Sequence, residues 1–440
     1  MAESANKRRV AVTGVGVASP LGLGAGDFWT ALTAGTVAIT TNDRFDASGF
    51  PCQLAATTPA FKVNQYVPKH YRKAAKVMAR DIELAVVAAD DAVRSAGLKT
   101  AGTVDEKAGE TPDIQPERFG CNIGAGLINA DLDELAVAMD AARNDTDADT
   151  LDLSKWGGEG MTKLTPLWLL KYLPNMLACH VTIIHGLMGP SNTITCADAS
   201  SHLAIGEAFR TIQRGDADVC TCGGAESKVN PMGMVRHTLL GRLNGTSNDD
   251  PAGAVRPFDP AAQGSVHGEG GGLLILEELS AAQARGATIY AEVVGFGASQ
   301  DATGLIDADP EGRAYGNAVT AALREADTAP ADVDVLVPHG VGYAPADASE
   351  LAGLRRAFGD DLTKPAFCPI KAQTGALAAG SGQDVAAAVL ALHHQTAPPA
   401  INCNADLNTA TQARTITANV ALTSVASIGG QNAALVFRKA

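Results

Sequence analysis

The residues best suited to chemistry lie in and around one short elbow of the chain. The sequence from Gly189 to Gly206 reads GPSNTITCADASSHLAIG, which predicts a short strand, a tight turn of small residues and an amphipathic helix beginning near Ala199. Asp198 stands at the helix start, where a carboxylate can accept backbone N–H bonds and is favoured by the helix dipole. Cys196 lies in the strand, so its side chain is expected about 7 Å back from position 198. The turn is therefore predicted to present a carboxylate.

Strand-like and helical segments alternate along the rest of the chain. The strand patterns include VAVTGVGVAS, DADVCTCGGAE, GLLILEEL and VDVLVPHG, and the helical patterns include DIELAVVAADDAVRSAG, AYGNAVTAALREA and GQDVAAAVLALHHQ. This alternation favours parallel-rich sheets covered by helices on both faces, an α/β fold. The element order is roughly repeated, which predicts two halves, residues 1–255 and 256–440. The acidic segment from Asp131 to Trp156 and the apolar segment after it are expected to form a helical cap on the first half.

Composition limits the classes of function. The 440 residues are 46% hydrophobic and 19% charged, which is typical of a soluble globular protein, and a net charge of −14 disfavours nucleic-acid binding through a global field. The eight cysteines are scattered, and Cys220 and Cys222 lack a second ligand pair, so no metal site is expected. GVGVASPLG lacks the third glycine of a dinucleotide motif, so no cofactor is expected. No segment has the length of a membrane span and the N-terminus has no apolar signal core, which predicts a cytoplasmic protein without a membrane partner.

Four segments resemble the ketosynthase family of condensing enzymes, and the resemblance covers nearly the whole chain. The segments are VTGVGVASPLG at 12–22, GGAES at 223–227, RPFDPAAQGSVHGEGGGLLILEEL at 256–279 and GQNAALVF at 430–437. The resemblance implies the thiolase-like fold, a duplicated five-layer αβαβα architecture. It also implies fatty acid or polyketide biosynthesis as the field of activity.

The resemblance further implies that the active site is degenerate. In the family the elbow presents a cysteine to an acyl thioester, and counting from either flank places that cysteine at Asp198. The first family histidine matches His339. The KxxTGH pattern begins at Lys371 and ends at Ala376, so the second histidine is replaced by a methyl group. A carboxylate cannot form a thioester, and Cys196 could replace the nucleophile only in a shifted register, so it is interpreted as a structural thiol.

Other positions that the resemblance assigns to the substrate pocket are altered as well. Val341 and Tyr343 replace two threonines that face the phosphopantetheine arm in the family, and Ile428, after Ser427, replaces a phenylalanine gate. The predicted pocket and gate residues are Ile123, Trp168, Val341, Tyr343, Ser427 and Ile428. If Asp198 also meets His339 and Lys371, the site becomes a closed charge network that stabilises the structure.

Three functions remain open from the sequence. The preferred interpretation is a non-condensing partner subunit, similar to chain-length factors, that shapes the acyl pocket of an active ketosynthase. The first alternative is an acyl-thioester enzyme, a decarboxylase or another acyl transferase, that uses Asp198 and His339. The second is a homodimer that binds an acyl chain or an acyl carrier protein without catalysis. In each case a homodimer or heterodimer is expected, with the strand residues Thr193, Ile194 and Thr195 at the contact.

Overall fold

Ten strands form the main path of one mixed sheet in the computed structural model, which describes residues 7–376 and 378–440. An eleventh, Gly22–Leu23, pairs with the first strand, and short two-stranded sheets join Ile39–Thr41 to Leu54–Ala56 and Thr396–Ala397 to Arg414–Thr415. The main strands are β1 Val10–Ser19, β2 Phe119–Ala125, β3 Ser191–Ile194, β4 Val219–Ser227, β5 Glu269–Glu278, β6 Ala291–Gln300, β7 Val335–Val337, β8 Ala366–Phe367, β9 Val420–Ala426 and β10 Gln431–Arg438.

The strand order shows that the fold is duplicated. From one edge the order is β3-β2-β4-β5-β1, and from the other edge it is β8-β7-β9-β10-β6. If the strands are counted in chain order within β1–β5 and within β6–β10, both orders read third, second, fourth, fifth, first. The outer pairings in each group are parallel and the inner ones antiparallel, and β1 joins β6 at the centre. The duplication predicted from the element order is thus present.

The two groups of five strands indicate where the boundary between the halves lies. Strand β5 completes the first group because it pairs with β4 and β1, and β6 begins the second group. We therefore propose a boundary between Glu278 and Ala291, later than the sequence division at 255/256. Alternation of elements in a sequence does not reveal which strands pair, which explains the displacement. Residues 1–6 of the first half lie outside the described residues.

The twelve α-helices of the described residues complete the layers. They are α1 Ala25–Thr33, α2 Arg80–Ser95, α3 Leu132–Ala141, α4 Leu153–Lys155, α5 Met176–His185, α6 Ser200–Gln213, α7 Pro231–Leu239, α8 Leu279–Ala284, α9 Arg313–Glu325, α10 Ala344–Phe358, α11 Lys371–Thr374 and α12 Gly382–His394. Apolar residues of α6 and α12 form one core with both groups of strands. Helices α2 and α5 pack on the outer face of the first group, and α9 and α10 on that of the second. The five-layer α/β fold is confirmed.

The segment expected to form a helical cap on the first half contains helices and turns, and its role as a cap stays a prediction. It contains α3, α4 and α5, with a π-helical turn at Trp156–Gly160 and 3-10 turns at Met161–Lys163 and Trp168–Tyr172. The carboxylate of Glu134 accepts hydrogen bonds from Trp168 Nε1 at 2.9 Å and from the Tyr172 hydroxyl at 2.8 Å, and Lys171 pairs with it at 2.5 Å. These bonds fix the turn at Trp168–Tyr172 against the first helix of the cap.

Candidate functional site

The elbow holds Asp198 between the edge strand β3 and the central helix α6. A 3-10 turn, Ala197–Ala199, leads into the helix, and Ala197 has a left-handed φ of 45°. Ser200 stabilises the turn, since its hydroxyl donates to Ala197 O at 2.7 Å and accepts from Cys196 N at 2.8 Å. The helix lies very close to the sheet: a Cβ added to Gly124 of β2 would lie 2.5 Å from the Ser200 backbone. The side chain of Asp198 is 15% exposed.

The loop after β7 brings His339 to Asp198. The Nε2 atom of His339 lies 3.4 Å from Asp198 Oδ1, a charge contact without the alignment of a hydrogen bond. Two backbone bonds hold the loop: His339 N donates to Glu350 Oε1 at 2.7 Å and Gly340 N donates to Glu350 Oε2 at 2.8 Å. The histidine is therefore placed by a buried carboxylate of α10, and its ring faces the elbow.

The contact stabilises the charged forms of both groups. Burial alone would raise the pKa of Asp198, but His339, followed by His237 and Arg242, outweighs burial and lowers it to about 2. Burial alone would lower the pKa of His339, and the Asp198 carboxylate outweighs burial and raises it. Asp198 is consequently an anion at neutral pH and has no proton to donate. Cys196 is half-buried, and burial raises the pKa of its thiol.

Lys371 does not join this contact. Its ammonium group pairs with both carboxylate oxygens of Asp384 in α12, and neither side chain has any exposed surface. The closed network considered from the sequence is therefore divided into two pairs, Asp198 with His339 and Lys371 with Asp384. Asp384 was missed because its distance along the chain from Lys371 gives no local pattern.

A cavity of about 60 Å³, open to solvent, lies against the elbow. Apolar and charged side chains share its wall. The sequence-predicted residues among them are Asp198, His339, Val341, Tyr343, Ala376 and Ile428. The structure thus gathers six residues from distant segments of the sequence around one space.

Three of the predicted pocket residues lie elsewhere. Ile123 is buried in β2, where it packs in the core of the first half. Trp168 is held in the cap by its bond to Glu134. Ser427 lines a neighbouring cleft. The physical reason is direction: successive side chains of a strand point to opposite faces, and the side chain of Ile123 points to the core face.

Four cationic or imidazole groups of the cavity were missed from the sequence. They are Lys228, His237, Arg242 and His267. Lys228 pairs with Glu226, and the Arg242 guanidinium lies 5.0 Å from the centre of the Tyr343 ring while donating to Ile306 O at 3.0 Å. The only local signal was the position of His267 in the Gly-rich segment GSVHGEGGG. The others follow β4 along helix α7 and its loop, where no spacing marks them.

The edge strand carries the predicted contact residues. Within the described residues, β3 pairs only with β2, through Thr193 with Ile123 and Ile194 with Gly124. Thr193 and Ile194 are half-buried and Thr195 is exposed. The free edge of β3 is open to pairing.

Residues 7–376 and 378–440 contain no group of three or more metal-ligating side chains placed to hold an ion. No helix of the same residues is long and apolar enough to cross a membrane.

The duplicated sheet, the central helix pair and the elbow define a thiolase-fold protein. The chain belongs to the beta-ketoacyl synthase family: the description "Beta-ketoacyl synthase, N-terminal domain" matches residues 7–282 and "Beta-ketoacyl synthase, C-terminal domain" matches residues 290–404. The ketosynthase resemblance predicted from the sequence is confirmed. Proteins of this family belong to fatty acid and polyketide biosynthesis.

Several relatives match over almost their whole length. The chain is 33% identical to the 3-oxoacyl-(acyl-carrier-protein) synthase 2 of Synechocystis sp., over 98% of each chain, and 33% identical to that of Vibrio harveyi, over 99% of each. Among solved structures, "The ishigamide ketosynthase/chain length factor" matches with a TM-score of 0.81 and 26% identity over 99% of this chain and 100% of that chain. A beta-ketoacyl synthase from Burkholderia phymatum matches with a TM-score of 0.81 and 27% identity, over 98% and 100%.

Proposed function

We propose that this protein is a non-condensing ketosynthase homologue that acts as a partner subunit and shapes the acyl pocket of an active ketosynthase. The observation that carries the proposal is Asp198 at the elbow, in charge contact with His339 at the wall of the cavity. Condensation needs a nucleophile that can form a thioester. A carboxylate held ionised by a neighbouring histidine stabilises the elbow but does not replace a thiolate.

The composition of the cavity supports the same proposal. Ala376 supplies no proton, and Val341 is buried and has no hydroxyl group. Lys371 is neutralised by Asp384 away from the cavity. Of the groups that would promote condensation in the family, the thiol and the second histidine are absent and His339 is paired with Asp198, while the fold around them is intact.

The free edge of β3 supports the choice of a partner. An exposed strand edge in a soluble protein is normally covered, and pairing with an equivalent strand would cover it. One solved relative is a ketosynthase with a chain length factor, and a ketosynthase in complex with its acyl carrier protein has the same fold. We propose a dimer across β3, with an active ketosynthase or with a second copy, and an acyl carrier protein as a further partner.

The decisive experiment compares three samples: the chain alone, an active ketosynthase carrying the cysteine and both histidines, and the two together. Each receives acyl- and malonyl-carrier proteins. We expect no condensation and no acyl adduct by intact mass from the chain alone, and a changed product length in the mixture. Condensation by the chain alone, or an adduct on Cys196, would contradict the proposal.

The association itself is tested at Ile194. Ile194→Lys would place a charge at the predicted seam, and we expect the dimer to dissociate at least about 100-fold more readily, since an unpaired charge in an interface costs several kcal/mol. Leu305→Lys is a suitable control, because Leu305 is 83% exposed away from β3. Light scattering at micromolar concentration measures the change. A stable wild-type monomer, alone and with the ketosynthase, would refute the partner-subunit proposal.

A second function is favoured by one observation, the ionised carboxylate beside a histidine whose pKa is raised. Such a pair can stabilise charge during decarboxylation or another reaction of an acyl thioester. This alternative predicts release of carbon dioxide from a malonyl-carrier protein by the chain alone, and loss of that release in Asp198→Asn. The absence of any release would refute this alternative.

A further inference from the structure

Two histidines form an imidazole pair in the wall of the cavity. His237 belongs to α7 and His267 to the segment before β5. Their ring centres are 4.4 Å apart and their planes cross at 76°, an edge-to-face arrangement. Both rings line the same cavity as Asp198 and His339, and His267 is 2% exposed. The wall therefore contains three imidazole rings, whereas the motifs predicted one.

The ring of His267 lacks hydrogen-bond partners. Neither its Nδ1 nor its Nε2 bonds to any atom of residues 7–376 and 378–440. The backbone of Gly233 lies near the ring and acts to raise the pKa of His267, but no atom of Gly233 forms a hydrogen bond with either ring nitrogen. Buried polar groups are almost always satisfied, because an unmade hydrogen bond is costly. A ring that lines a cavity can be satisfied by what enters the cavity.

The charge state of the two histidines limits the chemical class of ligand that suits the cavity. Burial, then the charges of His237 and Lys228, lowers the pKa of His267 well below its usual value, and burial lowers the pKa of His237 to about 4. Both rings are consequently neutral at neutral pH, and each offers one N–H donor and one acceptor nitrogen. The wall also contains the apolar side chains of Leu243, Val341 and Ile428. A neutral donor in such a wall suits an uncharged carbonyl group.

The backbone places His267 beside the altered motif position. Gly268 N donates to Ala376 O at 2.8 Å, and Ala376 N donates to Val266 O at 2.8 Å. These two bonds bridge the segment of His267 directly to Ala376. Residue 376 has no imidazole, but the adjacent segment places the imidazole of His267 at the same cavity.

We propose that His267 is the ligand-binding imidazole of this cavity and donates a hydrogen bond to the carbonyl oxygen of an uncharged acyl group, with His237 holding its ring in place. No covalent bond forms, so no acceptor or leaving group is required. The inference does not depend on the proposed function, because a partner subunit and an acyl-thioester enzyme would both present this cavity. His267 is a binding residue, and His237 is a positioning residue.

The probe for the test is a stable amide analogue of acetyl-pantetheine, titrated into the whole protein by calorimetry. We expect His267→Phe to weaken binding about tenfold, the value of one lost hydrogen bond. His267→Gln, which keeps an N–H donor, should stay within about threefold of the wild type. His393→Phe makes the same chemical change beside Tyr290, outside the cavity, and should leave binding unchanged.

Nitrogen-15 NMR of labelled imidazoles gives a readout that a purely structural histidine would not show. The ring signals of His267 should shift on addition of the probe, while those of His393 should not. This measurement uses the wild type and decides the matter even where His267→Phe does not fold. The proposal is overturned if the probe does not bind, if His267→Phe binds like the wild type, or if the His267 signals do not move. None of these results alters the dimer test at Ile194.

Discussion

The two central helices begin with carboxylates in contrasting surroundings. Asp198 precedes α6, faces a cavity and lies 3.4 Å from the imidazole of His339. Asp384, in the first turn of α12, is fully buried and its two oxygens are held by Lys371. In the duplicated fold both helices occupy the middle layer. The same kind of position therefore supports either an accessible charge or a closed ion pair.

This contrast distinguishes an ion pair that stabilises the fold, Lys371 with Asp384, from a carboxylate that a ligand can reach, Asp198. Burial raises the pKa of Asp384, and the Lys371 charge and hydrogen bonds oppose the effect, so the pair depends on both members. The pKa of Asp198 is lowered to about 2 by groups that also line the cavity. A change at Lys371 should thus affect stability, and a change at Asp198 should affect the chemistry of the cavity.

The largest expected effect tests whether the elbow alone limits the chemistry. Asp198→Cys restores a thiol at the helix start, but Ala376 still supplies no imidazole. We expect the variant to self-acylate yet to condense about 10²–10⁴-fold more slowly than an active ketosynthase, the usual loss for one acid–base group. Single-turnover assays with acyl- and malonyl-carrier proteins measure the rate. Asp198→Cys combined with Ala376→His should be faster; efficient turnover by the single variant would contradict the prediction.

The next effect tests the closed pair. Lys371→Met leaves the Asp384 carboxylate buried without its partner, and we expect the free energy of unfolding to fall by about 3–5 kcal/mol. Lys364→Met is the matched control, because Lys364 is 55% exposed and pairs with Asp361 at the surface, where the loss should stay below about 1 kcal/mol. Urea denaturation measures both. Equal losses in the two variants would remove the distinction between the pairs.

The smallest effect concerns pH. The pKa of Asp198 is about 2 in the folded protein, against an ordinary 3.8, so the unfolded state binds more protons in that range. Its contribution is fully present above about pH 4 and is lost as the pH falls towards 2. We expect the difference in free energy of unfolding between wild type and Asp198→Asn to shrink by about 1–2 kcal/mol over that range. A constant difference would show that His339 does not stabilise the carboxylate.

Local patterns were sufficient for the elements and for the motif positions. The small-residue turn before an amphipathic helix located Asp198 from its neighbours in the chain, whereas His339 was identified through the resemblance to the ketosynthase family. The structure brings these two residues together at one cavity. Lys371 was identified as a motif residue, but its partner was not.

Only the tertiary structure decided which side chains share a space. His237 and His267 are in different elements and meet because α7 packs over the segment before β5, an arrangement that no periodicity in the sequence encodes. Ile123 and Trp168 were predicted at the pocket, yet strand direction turns one into the core and Glu134 holds the other in the cap. The sequence by itself determined the α/β class and the duplication, since these follow from residue type and local period, and its resemblance to ketosynthases predicts that Asp198 stands where the family has its cysteine. Tertiary contacts determined which side chains line the cavity, because the burial and the direction of a side chain depend on residues far apart in the chain.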